Sequence, residues 1–167
     1  MEQGFNVFEN APLPVPAAQV EAVFLTHAHI DHSGMLPKLY KDGFRGNIYA
    51  TDATCNLCDI MLRDSAHIQM SEAEWRSRKA QRAGNPPVEP DYDLNDAQGA
   101  IRRLRRCEYG KRYLVGEGVE LRFTDVGHLL GSAAVELWLT EGEIQKKIVF
   151  SGDLGNRDQP IIRDPQF

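Results

Sequence analysis

A chain of 167 residues, 42% apolar and 26% charged, has the make-up of one globular domain long enough to bury a core. It contains no run of 18 apolar residues, which argues against a membrane-spanning helix, and its first ten residues lack the basic and apolar regions of a secretory signal. A net charge of −5 excludes a uniformly basic surface while leaving room for a local basic patch, and three cysteines are too few for a disulfide framework.

In chain order, residues 1–20 carry Pro12, Pro14 and Pro16 and are expected to form an extended lead-in. Ala22-Val23-Phe24-Leu25 is a short apolar run with the pattern of a buried strand. It runs directly into Thr26-His27-Ala28-His29-Ile30-Asp31-His32-Ser33-Gly34. Leu36, Leu39 and Tyr40 recur at helical spacing, with Gly43 as a stop. Asn47-Ile48-Tyr49-Ala50 predicts a second strand. Thr51 or Asp52 can cap a helix whose apolar face is expected at Ala53, Leu57, Ile60, Met61 and Ile68. Residues 71–84 read as a polar helix ended by Asn85-Pro86-Pro87, and residues 97–106 as one more short helix. Beyond that the period changes to two, in strands around Val119, Leu121 and Phe123, around Val135, Leu137 and Leu139, and at Ile148-Val149-Phe150. Strands and helices mix throughout, which predicts an α/β sandwich.

Four potential metal ligands fall within six residues: His27, His29, Asp31 and His32. His27 and His29 sit two apart on an extended segment, so they point the same way and can share one ion. Asp31 and His32 can turn towards a second. Imidazole and carboxylate both suit zinc. Two further segments repeat the design of a glycine turn at a strand end. They are Val126-Gly127-His128-Leu129-Leu130-Gly131-Ser132-Ala133 and Phe150-Ser151-Gly152-Asp153-Leu154-Gly155. Each aims one further ligand, His128 or Asp153, at the same place.

These segments resemble the motifs of the metallo-β-lactamase superfamily. The match runs from Thr26-His27 to His32-Ser33-Gly34, then Gly127-His128, then Ser151-Gly152-Asp153. Leu36-Pro37, Asp64-Ser65-Ala66-His67-Ile68-Gln69 and Leu129-Leu130-Gly131-Ser132-Ala133 narrow the resemblance to its β-CASP ribonuclease branch. The resemblance implies an αββα sandwich, incomplete at both ends. Residues 1–167 would then form a partial metallo-β-lactamase domain, with a β-CASP domain and a seventh metal ligand beyond residue 167. It also implies two zinc ions: His27, His29 and His128 on one, Asp31 and His32 on the other, and Asp153 bridging them. Asp31 would be catalytic, orienting a bridging hydroxide that cleaves phosphodiester bonds. RNA is the implied substrate and homodimerisation is left open; the three cysteines point to a reducing compartment, the cytoplasm. The alternatives are a hydrolase of the same fold acting on a thioester or lactam, and a non-catalytic subunit that keeps the fold for assembly.

Other features favour structural readings. Cys55 and Cys58 would share a helix face and pack, and His67 would pack within its helix rather than bind metal. The basic groups at Arg76, Arg78, Lys79 and Arg82, and at Arg102, Arg103, Arg105 and Arg106, read as solvated helix faces that could also meet phosphates.

Overall fold

Side-chain alternation along the first strands sets the layering of this computed structural model, which describes residues 13–166. β1 (Ala22–Phe24) turns Val23 towards the helices and Phe24 towards a second sheet. β2 (Asn47–Thr51) does likewise, with Ile48 and Ala50 on the helix side and Tyr49 on the other. Together with β3 (Leu104–Cys107) they form a parallel sheet in the order β1-β2-β3. Cover on both faces is what a parallel sheet requires. The second sheet is an antiparallel meander of β4 (Tyr113–Gly116), β5 (Val119–Asp125), β6 (Ala133–Glu141) and β7 (Ile144–Phe150). Its inner face presents Leu121, Phe123, Val135 and Leu137 to Phe24, Tyr49 and Cys107.

The helical layer holds α1 (Ile30–Ser33), α2 (Leu36–Lys41), α3 (Asp52–Arg82) and α4 (Leu94–Ile101). Leu25, Phe44, Ile48, Cys58, Leu62 and Ala97 meet beneath it in one core. Among the described residues no helix covers the outer face of the antiparallel sheet, so three layers of the expected four are seen.

Several expectations are corrected. The helix expected at residues 97–106 is instead α4, starting at Leu94, followed by β3. Asp93 and Asp96 form a reciprocal capping box that fixes the earlier start. The segment after Ile101 is drawn into the sheet by β2, so pairing overrides helical periodicity. The two helices expected around Ser71 are one, because residues 52–82 contain neither glycine nor proline to divide them. The buried face of α3 is Thr54, Cys55, Cys58, Leu62, Ala66 and Ala73, whereas Ile60 and Ile68 are 68% and 52% exposed. Small side chains on that face let the helix lie close to the sheet. His67 is exposed on α3, neither packed nor near the ligand cluster. Arg102, Arg103, Arg105 and Arg106 lie at the C-terminus of α4 and in β3, not on a helix face. Of the expected lead-in, residues 1–12 lie outside the described residues, and Ala17–Gln19 form one 3₁₀ turn. Cys55 and Cys58 pack in the core as expected; burial pushes their thiols up to about 11 and about 12, so they stay protonated.

Candidate metal centre

Each ligand segment leaves its strand in the same way. β1 ends at Phe24 and His27 stands three residues on; β5 ends at Asp125 and β7 at Phe150, with His128 and Asp153 at the same offset. The three turns are tied together by the backbone. The Ala133 amide donates to the Thr26 carbonyl at 2.8 Å, and the Gly155 amide to the Val126 carbonyl at 2.9 Å. Gly152 adopts φ +59°, and a Cβ there would stand 2.8 Å from the Thr26 Cβ. Only glycine permits that turn, which brings Asp153 back towards His27.

His29 caps α1 with its backbone, and the Ser33 hydroxyl donates to the carbonyls of Ala28 and His29 at 2.9 and 3.0 Å. That fixes the path between His27 and His32. The Thr26 hydroxyl lies 3.0 Å from His27 Nδ1, leaving Nε2 turned to the cluster. His27 Nε2 is 3.2 Å from His29 Nδ1, and His128 Nε2 is 3.3 Å from the same atom. A tetrahedral ion bonded to imidazoles at about 2.0–2.1 Å holds its nitrogens about 3.3–3.4 Å apart, so the spacing fits one ion. Asp153 Oδ2 lies 3.8 Å from His27 Nε2 and 3.6 Å from His128 Nε2, and its Oδ1 lies 3.5 Å from His32 Nε2. Ligand atoms of His27, His29, His128 and Asp153 all fall within 4.8 Å of one another. Asp31 stands outside this set, with Oδ2 3.7 Å from His32 Nε2 and its side chain 74% exposed. All six expected ligands are thus at one end of the sandwich, four of them in the tight cluster.

Burial, with the neighbouring His32 adding to it, pulls the His27 imidazole down to about 4. At neutral pH its ring is uncharged and its lone pair is free to bind a cation.

A set of hydroxyls behind His128 carries no signal in the local sequence. The Thr51 and Thr54 hydroxyls both donate to the Gly131 carbonyl, at 2.6 and 2.9 Å. The Tyr109 hydroxyl donates to the Ser132 carbonyl at 2.8 Å. Ser132 Oγ, fully buried, accepts the amides of His128 and Leu129 at 3.1 and 3.2 Å. Gly131, at φ +89°, would put a Cβ 2.5 Å from the Thr54 nitrogen. The loop bearing His128 is therefore pinned to the N-terminus of α3.

Histidines and aspartates gathered on the strand-end turns of an α/β sandwich make a candidate metal centre. The model of the metallo-beta-lactamase superfamily matches residues 8–166, and the chain belongs to that superfamily and has its fold. Ribonuclease TTHA0252 of Thermus thermophilus is 38% identical over 168 residues, covering 100% of this chain and 34% of that protein. Transcription termination factor FttA of Pyrococcus abyssi is 32% identical over 135 residues, 80% of this chain and 18% of that protein. The solved structure of Rm3 metallo-beta-lactamase is 19% identical over 81% of this chain and 42% of its own, with a TM-score of 0.45. The chain spans about a third of the ribonuclease's length and less of the termination factor's.

Proposed function

We propose that this chain is the metal-binding part of a two-zinc ribonuclease of the β-CASP branch, which cleaves phosphodiester bonds of RNA. The observation that carries the reading is the placement of Asp153, whose Oδ2 faces His27 and His128 and whose Oδ1 faces His32. A carboxylate so disposed would be able to serve two ions at once. In this reading His27, His29 and His128 hold the first zinc, and Asp31 and His32 the second. Such a pair lowers the pKa of water to roughly 7 and offsets charge on the oxygens of a displacement. The residues have the remaining tasks. The Thr26 hydroxyl holds the His27 ring in one tautomer, as an outer-shell partner does. Asp31, the more exposed of the two carboxylates at the site, would orient the attacking oxygen and accept its proton. RNA as the substrate is supported by the relatives, one named a ribonuclease and the other a transcription termination factor. On the same ground, residues 1–167 are a partial metallo-β-lactamase domain, and a second, β-CASP domain belongs to the longer protein. Three buried free thiols suit the cytoplasm.

The test uses the protein extended to the length of its relatives, with zinc, against a single-stranded RNA, a chromogenic cephalosporin and a thioester. RNA cleavage that chelation abolishes and Asp31→Asn lowers at least about a hundredfold is the expected result. Turnover of the lactam or thioester with RNA left intact overturns it.

A further inference from the structure

The last turns of α3 stand clear of the core. No residue after Ala73 in this helix is buried, yet the helix continues for nine more residues. In that stretch Trp75, Arg78, Lys79 and Arg82 recur at i, i+3, i+4 and i+7, which puts them on one stripe, and they line a common groove. The Trp75 side chain is 58% exposed, with the Lys79 ammonium 5.7 Å from its ring centre. Ser77 is on the opposite face, where its hydroxyl donates to the Val88 carbonyl at 2.9 Å and accepts the Val88 amide at 2.8 Å. The returning chain is thereby fastened behind the helix and leaves the stripe open.

Charge is segregated here as well. From Trp75 to Val88 the sequence has four cations, Arg76, Arg78, Lys79 and Arg82, and no carboxylate, in a chain of net charge −5. Arg76 and Arg78 reach back to Glu72 and Glu74 at 3.4 and 3.8 Å, exposed pairs that neutralise little. Among the described residues Lys79 and Arg82 have no carboxylate within ion-pair distance.

We propose that this stripe is a docking site for single-stranded RNA, with a base stacked on Trp75 and phosphates held by Arg78, Lys79 and Arg82. The inference rests on the reading of RNA as substrate. An exposed indole flanked by cations offers what a single strand needs, a platform for a base face and charge for its backbone. A duplex keeps its base faces stacked inside and cannot use the ring. An acidic protein would use the cations and gain little from the indole. Thr54, at the start of α3, holds the His128 loop, and Trp75 lies about 30 Å further along the helix at 1.5 Å per residue. A strand bound at the stripe therefore has to bridge about that distance to reach the metal centre.

The experiment titrates a labelled 12-nucleotide oligoadenylate into the whole chain, by anisotropy between 50 and 200 mM salt, while following tryptophan emission. Quenching is expected, together with binding that Trp75→Ala weakens about fivefold or more, abolishing most of the quench. Arg78→Ala/Lys79→Ala/Arg82→Ala should weaken binding at least about tenfold and flatten the log–log salt slope by about 2. Affinity unchanged in both variants overturns the proposal. So does equal affinity for a duplex of the same length, or displacement by polyglutamate that is the same with and without Trp75. RNA that binds through the stripe but is never cleaved by the full-length protein supports docking and sinks the ribonuclease reading. Cleavage in the full-length protein with the stripe variants binding normally sinks docking alone.

Discussion

His29 Nδ1 lies within 3.3 Å of the ring nitrogens of both His27 and His128, which in the proposed reading would make it the hub of the first ion's site. His29→Ala is therefore expected to remove that zinc, and elemental analysis of the purified variant checks it. Asp153→Asn should weaken both ions together, because the amide keeps the shape but loses the charge that faces His27, His128 and His32. Loss of one ion with the other at full affinity in a competition titration would contradict the bridging role. Ser132→Ala removes the buried acceptor of two amides beside His128. A buried donor left unmade costs about 1–3 kcal/mol, and a lost outer-shell contact typically costs about tenfold or more in metal affinity. Denaturation and zinc titration of this variant read the two effects separately. The six candidate ligands were visible in the sequence because each closely follows a strand, four of them within the six residues 27–32 after β1, and His128 and Asp153 in glycine turns after β5 and β7. The hydroxyls of Thr51, Thr54 and Tyr109 were not. Thr54 meets Gly131 across 77 positions of sequence, and nothing near either residue reports the contact.

Elements were legible where periodicity and burial coincide, as in β5, whose alternation matches its buried and half-buried positions. Legibility failed where a partner decides. β3 carries Arg105 and Arg106 and becomes a strand only because β2 offers an edge to it. On α3 the expected apolar face is only partly right: Leu57 and Met61 pack against the core, but Ile60 and Ile68 are exposed and the fully buried surface is mostly Cys, Ala and Thr. The outer face of the antiparallel sheet shows another non-local arrangement. Glu136 on β6, only 5% exposed, takes a two-pronged contact from Arg122 at 2.9 and 2.8 Å, with Lys147 of β7 and the Thr124 hydroxyl also on its carboxylate. Arg122, followed by Lys147 and Thr124, holds the carboxyl down to about 2 against the opposing pull of burial. A carboxyl with a depressed folded pKa stabilises the fold above its unfolded pKa, near 4.5, and that contribution is lost as pH falls towards 2. Glu136→Gln should cost about 2 kcal/mol at pH 7. The gap between variant and parent should close steadily as urea denaturation is repeated from pH 5 to pH 2. A gap that is constant with pH would mean that Glu136 acts by packing, not by charge.

At the scale of the whole molecule, one end of the sandwich gathers the candidate ligands, and in the proposed reading its second ion would have few partners. The first site would draw on three imidazoles and a carboxylate oxygen; the second would have His32, Asp31 at 3.7 Å from it, and Asp153 Oδ1 at 3.5 Å. Two-metal cleavage of a phosphodiester requires both ions at a fixed separation and the substrate held in line with the attacking oxygen. Beside His32 the walls are Phe24, Leu25, Thr26, Val135, Leu137 and Phe150, side chains that offer no cation to a phosphate. The chain spans 34% of the ribonuclease it resembles, so in the proposed reading the remaining ligand and the cations that hold the scissile phosphate at the metal centre belong to the longer protein. Each deficit is expected to cost several kcal/mol of transition-state stabilisation, and every 1.36 kcal/mol is tenfold in rate. The 167-residue chain should therefore bind one zinc well, hold a second weakly, and cleave single-stranded RNA at least about a thousandfold more slowly than the protein extended to its relatives' length. Parallel assays with added zinc check the rates, and isothermal titration counts the ions. Equal rates for the two proteins would show that the residues between Met1 and Phe167 suffice for catalysis and that no further ligand is needed.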